Sequence, residues 1–304
     1  MQIILANPQG FCGGVAYAIK VVEHALKKYG APLYIRHHIV HNTAVIKNFE
    51  KQGVIFVDDL EGIPDKANVI FSAHGVAPEV YEEAKRRNLH YIDATCPLVA
   101  KVHREAEKFS KDGIQTILIG HKKHQELIGT AGYVNPDLLN IIEKVEDIDN
   151  LKLDTNKLIG FLTQTTLSVL ETKKIIERLK QKYPNIIDCK SICYATTNRQ
   201  EAVMELKQYC DLIIICGSKT SSNTNRLRET AEKQGIETIM IDNADELDLV
   251  ILQNKEKIGI SSGASVPAYI VDEVVQKIQN HFSNVLVHKN KNKESEVVFK
   301  VPEV

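Results

Sequence analysis

The 304-residue chain has almost no net charge: 38 Lys and Arg stand against 39 Asp and Glu, which leaves −1. With no global field to attract nucleic acid or an anionic membrane, any anionic ligand must be held by a local device. No apolar run reaches membrane-spanning length. The opening MQIILANPQGF lacks a basic segment followed by a long apolar one, so no signal peptide is expected. The phosphate loop G-x4-G-K-[ST] and the fingerprint G-x-G-x-x-G are both missing, which argues against the common kinds of nucleotide binding. H-E-x-x-H is missing too. Six cysteines without a secretion signal point to a reducing cytoplasm, and to free, catalytic or metal-bound thiols rather than disulfides. No nucleic-acid and no membrane partner is expected.

What the chain does contain is a threefold repeat. Short apolar runs such as VIFV, TILIG, LIIIC and TIMID alternate with helical patterns, as α/β units on mostly parallel sheets do. FEKQGVIFVDDLEGI in the first third matches AEKQGIETIMIDNADEL in the last. Each third also carries a cysteine at a predicted helix start: Cys12 in FCGGVAYAIK, Cys96 in TCPLVAKVHREAEKF and Cys193 in CYATTNRQEAVMEL. Two polar loops follow each cysteine. The first loops are HHIVHN, GHKKHQE and GSKTSSN, starting a nearly constant step beyond the cysteine. The second are SAHGV, TQTT and GAS, at a more variable distance, as connecting loops allow.

The expected fold is α/β: three pseudo-repeated units with small, mostly parallel sheets around a central cavity. Residues 1–96, 97–192 and 193–283 form the repeats, and residues 284–304 a C-terminal tail. In that tail HKNKNKESE reads as a solvated charged run and VVFKV as a segment compatible with a closing strand, within a tail that packs on the body.

A thiol at a helix N-terminus sits at the positive end of the dipole, which favours the thiolate, the metal-binding form. Cys12, Cys96 and Cys193 therefore read as three ligands of an iron–sulfur cluster. A fully ligated cluster uses four cysteines, so three leave one iron open. Zinc on these cysteines stays open as an alternative, although structural zinc ligands usually cluster in short C-x2–4-C pairs and these do not. Cys210, late in a helix pattern, and Cys216, ending LIIIC, read as structural, and the repeat selects Cys193 over Cys189.

The polar loops place His41, His74, His124, Thr165, Ser221, Ser222, Asn223 and Ser265 at helix starts. Imidazoles, hydroxyls and an amide there form a phosphate or diphosphate cradle with the backbone N–H groups. Each residue alone is an ordinary cap or a structural histidine; their shared repeat positions carry the reading. Glu126 is the one carboxylate in these loops. Buried beside a cluster it would stay protonated as a general acid, with His124 to orient it or relay protons. His37, His38, His90, His103 and His121 read as structural or surface.

Together GFCGGV, VHN, SAHGV, DATCPLV, GHKKHQE, TQTT, CYATTNRQ, GSKTSSN and GAS resemble the 4-hydroxy-3-methylbut-2-enyl diphosphate reductase family over nearly the whole chain. One departure is Gln125, where the family often has proline. The resemblance implies three α/β domains around a [4Fe-4S] cluster with three cysteine ligands, matching Cys12, Cys96 and Cys193, and one open iron. It implies substrate contacts from His41, His74, His124, Thr165, Ser221, Ser222, Asn223 and Ser265. Glu126 falls on the proton donor, with His124 and Thr165 in the relay. The implied reaction is reductive removal of the hydroxyl of a small allylic diphosphate, bound by its oxygen at the open iron. Isopentenyl and dimethylallyl diphosphate are the implied products, and ferredoxin or flavodoxin the implied one-electron donor. Two other readings are a cluster-dependent lyase resembling quinolinate synthase, which would take carboxylates, and a non-catalytic redox sensor.

Overall fold

The computed structural model describes residues 1–189, 191–290 and 297–301. Among the described residues three small sheets form, and every strand pairing in them is parallel. The first sheet runs β3 (Val54–Val57), β2 (Leu33–Arg36), β4 (Asn68–Phe71), β5 (His90–Asp93). The second runs β7 (Leu139–Ile142), β6 (Gln115–Ile119), β8 (Ile159–Thr163), β9 (Ile187–Asp188). The third runs β11 (Glu237–Ile241), β10 (Leu212–Cys216), β12 (Lys257–Ser262), β1 (Gln2–Leu5), β13 (Leu286–Lys289).

The same four-strand order therefore occurs three times, and in the third sheet the fourth place is filled by β1. The N-terminal strand thus completes the sheet of the last third of the chain, with Ile3 opposite Ile258. Central strands such as LIIIC and QTILI are buried along their whole length, which is why they read as unbroken apolar runs. The tail closes this sheet through Leu286–Lys289, paired with β1, and not through VVFKV, whose described residues 297–301 are in no strand. His288 and Lys289, read as the start of the charged run, lie exposed in β13, while residues 291–296 of that run lie outside the described residues. Phe299 packs edge-on against Tyr17.

Parallel neighbours need crossovers, and helices supply most of them. They are α1 (Gly13–Tyr29), α2 (Thr43–Lys51), α3 (Pro78–Arg86), α4 (Pro97–Lys111), α5 (Gln125–Ala131), α6 (Val169–Lys182), α7 (Tyr194–Leu206), α8 (Ser222–Lys233) and α9 (Ala268–His281). Their apolar spacing sets the buried face: α4 buries Val99, Val102, His103, Ala106 and Phe109, and α9 buries Ile270, Val271, Val274 and Ile278.

Two compact units result. One comprises Met1–Val15, His41–Val45 and Tyr194–Val298, and holds the five-stranded sheet. The other comprises Ala16–Val40, Ile46–Cys193 and the described residues 299–301, and holds both four-stranded sheets. Among the described residues no helix is long and apolar enough to cross a membrane.

Candidate active site

Cys12, Cys96 and Cys193 each stand immediately before a helix, α1, α4 and α7 respectively. Cys96 is the N-cap of α4, followed by Pro97, whose fixed φ suits the first helical position. All three are half-buried and in no disulfide. One backbone hydrogen bond recurs at each of them. The N–H of Cys12 donates to the carbonyl of Ala264 at 3.0 Å, that of Cys96 to Ala73 at 3.0 Å, and that of Cys193 to Thr165 at 3.1 Å. Every acceptor is the second residue beyond the third strand of its sheet: β12, β4 or β8. Each cysteine follows the fourth strand, next to the third, so it is tied to the polar loop that precedes it in the repeat. The loops that follow it in sequence, with which its position had grouped it, belong to the next sheet.

The first polar loops end in side-chain caps. Asn42 Oδ1 accepts from the N–H of Val45 at 3.0 Å, His124 Nδ1 from Glu126 at 3.2 Å, and Ser221 Oγ from Thr224 at 3.3 Å. The cap equivalent to His124 and Ser221 is thus Asn42. His41 lies one residue earlier, and its carbonyl accepts the Ser265 hydroxyl at 3.1 Å. Because His124 accepts at Nδ1, its ring proton is on Nε2. The helix after it begins at Gln125 without the proline expected there. His74 Nδ1 lies 3.1 Å from Ser72 Oγ, and the His74 and His124 rings meet edge-on at 5.9 Å.

Glu126 is the second residue of α5 and is only 3 % exposed. Its Oε1 accepts the backbone N–H of Thr165 at 2.6 Å, and its Oε2 is 2.7 Å from the Thr165 hydroxyl. Burial pushes its pKa up to about 7, against the two hydrogen bonds from Thr165, which pull it down. A carboxyl balanced there holds a proton near neutrality and can release it. When protonated on Oε2 it donates to Thr165 Oγ1, which turns the threonine hydroxyl outward as the next donor.

Asn223 is the second residue of α8, the position that Glu126 holds in α5. It is 5 % exposed, and among the described residues neither its Nδ2 nor its Oδ1 has a hydrogen-bond partner. An amide buried with both ends unpaired costs stability unless a ligand completes it. Ser221 is buried, Ser222 half-buried and Ser265 buried.

The remaining cysteines differ in kind. Burial pushes the Cys210 and Cys216 thiols up to about 12, and also raises Cys189. Among the described residues no three His, Cys, Asp or Glu side chains could hold a metal ion together. Cluster ligands bind different irons and need not converge on one atom as single-ion ligands do. Three half-exposed thiols at helix starts, in no disulfide and each fixed by the same backbone bond, are a donor set that fits a cluster.

Sequence reasoning missed Asp93. Its Oδ1 accepts from the N–H of Thr95 at 2.9 Å and from the Thr95 hydroxyl at 2.5 Å, and its Oδ2 from the Tyr81 hydroxyl at 2.7 Å. It shapes the turn into Cys96, and the D-x-T spacing in DATC was the available signal. His103, read as structural, is buried, and burial pushes its pKa down to about 4.

The profile of the LytB protein family matches residues 3–279. The chain belongs to the LytB protein family. Members similar to it carry the name 4-hydroxy-3-methylbut-2-enyl diphosphate reductase, an oxidoreductase. The Actinobacillus succinogenes protein is 50 % identical over 283 residues, covering 92 % of this chain and 90 % of its own. The Neisseria meningitidis protein is 44 % identical over 302 residues, covering 99 % and 94 %. The solved E-1-hydroxy-2-methyl-but-2-enyl-4-diphosphate reductase of Plasmodium falciparum superposes with a TM-score of 0.96 at 40 % identity, over 100 % of this chain and 96 % of that one. A second solved structure, described as the terminal enzyme of the non-mevalonate pathway, gives 0.66 at 33 % identity over 92 % and 99 %. The expectation of an α/β reductase of this family holds, and LytB membership accounts for the motifs that run through nearly the whole chain.

Proposed function

We propose that this chain reduces (E)-4-hydroxy-3-methylbut-2-enyl diphosphate, the substrate its relatives are named for, to isopentenyl and dimethylallyl diphosphate. The C–O bond to the hydroxyl breaks, a C–H bond forms, and two electrons and two protons leave water as the second product. Cys12, Cys96 and Cys193 would hold a [4Fe-4S] cluster with one open iron. That group, when bound, supplies single electrons and a Lewis-acid position for the leaving oxygen. An external one-electron donor of the ferredoxin or flavodoxin kind is required, and a reducing cytoplasm suits the free thiols.

The observation that carries the reading is Glu126: a buried carboxyl titrating at about 7 on Thr165, the residue whose carbonyl fixes Cys193. Glu126 holds the proton on Oε2 and Thr165 Oγ1 passes it on, with His124 fixing the start of the helix that carries Glu126. His41, His74, Ser221, Ser222, Asn223 and Ser265 would bind the diphosphate end as hydrogen-bond donors, and both amide atoms of Asn223 lack a partner among the described residues. Holding the substrate in one pose would keep the carbon that takes the proton oriented toward its donor.

Competition binding tests the substrate class. Pyrophosphate should displace the allylic diphosphate, and a dicarboxylate should not. Displacement by the dicarboxylate alone would move the chain to the quinolinate-synthase type of lyase. Absence of any turnover with a strong reductant would favour the redox sensor.

A further inference from the structure

Arg199 is the largest fully buried side chain among the described residues, 1 % exposed, on the second turn of α7. A buried guanidinium is costly to hold, and two of its bonds point to a task. Nη1 donates to the carbonyl of Ala195, one turn back on α7, at 3.1 Å. Nη2 donates to the carbonyl of Gly10 at 3.0 Å, 189 residues away in sequence. Gly10 has φ +77°, a left-handed conformation that glycine adopts freely and other residues disfavour. Two residues on is Cys12. The same segment is fixed by Gly10 N–H to Ser262 Oγ at 3.4 Å and by Cys12 N–H to the Ala264 carbonyl. The guanidinium is the one charged member of that set, and it reaches Gly10 from the helix that begins directly after Cys193.

We propose that Arg199 is a positioning residue for Cys12. Its fork clamps the Gly10 turn to the Cys193 helix and places a fixed positive charge behind the Cys12 loop. Lysine would keep the charge but could not reach both carbonyls with one rigid fork. The part of this inference that concerns the cluster rests on the function proposed above; the clamp itself does not.

Amide hydrogen exchange on the apoprotein tests the clamp without any cluster. In Arg199→Met, residues 9–13 should exchange at least tenfold faster, while residues 93–97 around Cys96 stay at the wild-type rate. Equal acceleration of both segments, or of neither, overturns the proposal. If Arg199→Met does not fold, Arg199→Lys should still accelerate residues 9–13 about threefold and spare 93–97; no difference between the segments is again the contrary result. After anaerobic reconstitution, Arg199→Met should have a more negative midpoint potential, by about 59 mV for a tenfold change in a one-electron equilibrium. An unchanged potential removes the charge role. If wild-type protein takes up no cluster, the proposed function fails while the exchange result still decides the clamp.

Discussion

At the scale of single residues, Glu126 carries the sharpest consequences. Replacing it with Gln keeps the shape and the bond from the Thr165 N–H but removes the transferable proton. Turnover should fall by at least a hundredfold while substrate binding and iron content persist, measured by steady-state rates and iron assay. Its titration also leaves a mark on apoprotein stability. The folded pKa of about 7 lies above the ordinary 4.5, so folding favours the protonated form. The stabilisation is complete below about pH 4.5 and is lost as pH rises through about 7. Relative to Glu126→Gln, urea titrations should show wild type losing about 3 kcal/mol across that window, with no further divergence above it. The thiols separate in the same way: Cys193→Ser should abolish iron binding and Cys210→Ser should keep it. A protein in which Cys210 is essential and Cys193 dispensable would refute the ligand assignment.

At the scale of elements, the recurring unit is a cysteine N–H bonded to the polar loop beside it. The helix starts were legible because Cys12 precedes an amphipathic pattern, Cys96 a Pro-led one, and Cys193 the equivalent point of the repeat. Their partners were not, because the bonds to Ala264, Ala73 and Thr165 are made by backbone atoms, which leave no trace in residue type. Asn42 was missed for another reason: it became the cap because its loop is one residue longer than the loops of His124 and Ser221. Arg199 was hidden in CYATTNRQ, since its partner Gly10 lies at the other end of the chain. Gly75 tests this level directly. It adopts φ +75°, and a Cβ there would collide with His103 Cε1 beneath it. Gly75→Ala should cost about 1–3 kcal/mol in chemical denaturation. Adding His103→Ala should recover only part of that, because it removes the collision and not the left-handed backbone.

At the scale of the whole molecule, the repeat predicted from FEKQG and AEKQG became three sheets with one shared strand order. Sequence order hid that β1 fills the fourth place in the last of them, because strands paired across the full length of a chain share no local pattern. Ile3, fully buried at that place, should be as sensitive as any central core residue: Ile3→Ala is expected to cost about 2–5 kcal/mol. The function proposed here depends on three thiols contributed from far-apart parts of the sequence acting on one cofactor. Anaerobic quantification of iron and sulfide, followed by the spectrum on adding the allylic diphosphate, tests that claim most directly. The account predicts brown protein with about four irons and matching sulfide per chain, and a spectral change with the diphosphate that Cys12→Ser, Cys96→Ser and Cys193→Ser each abolish. Zinc in place of iron, or a cluster that survives loss of any one of these cysteines and ignores the diphosphate, would contradict it.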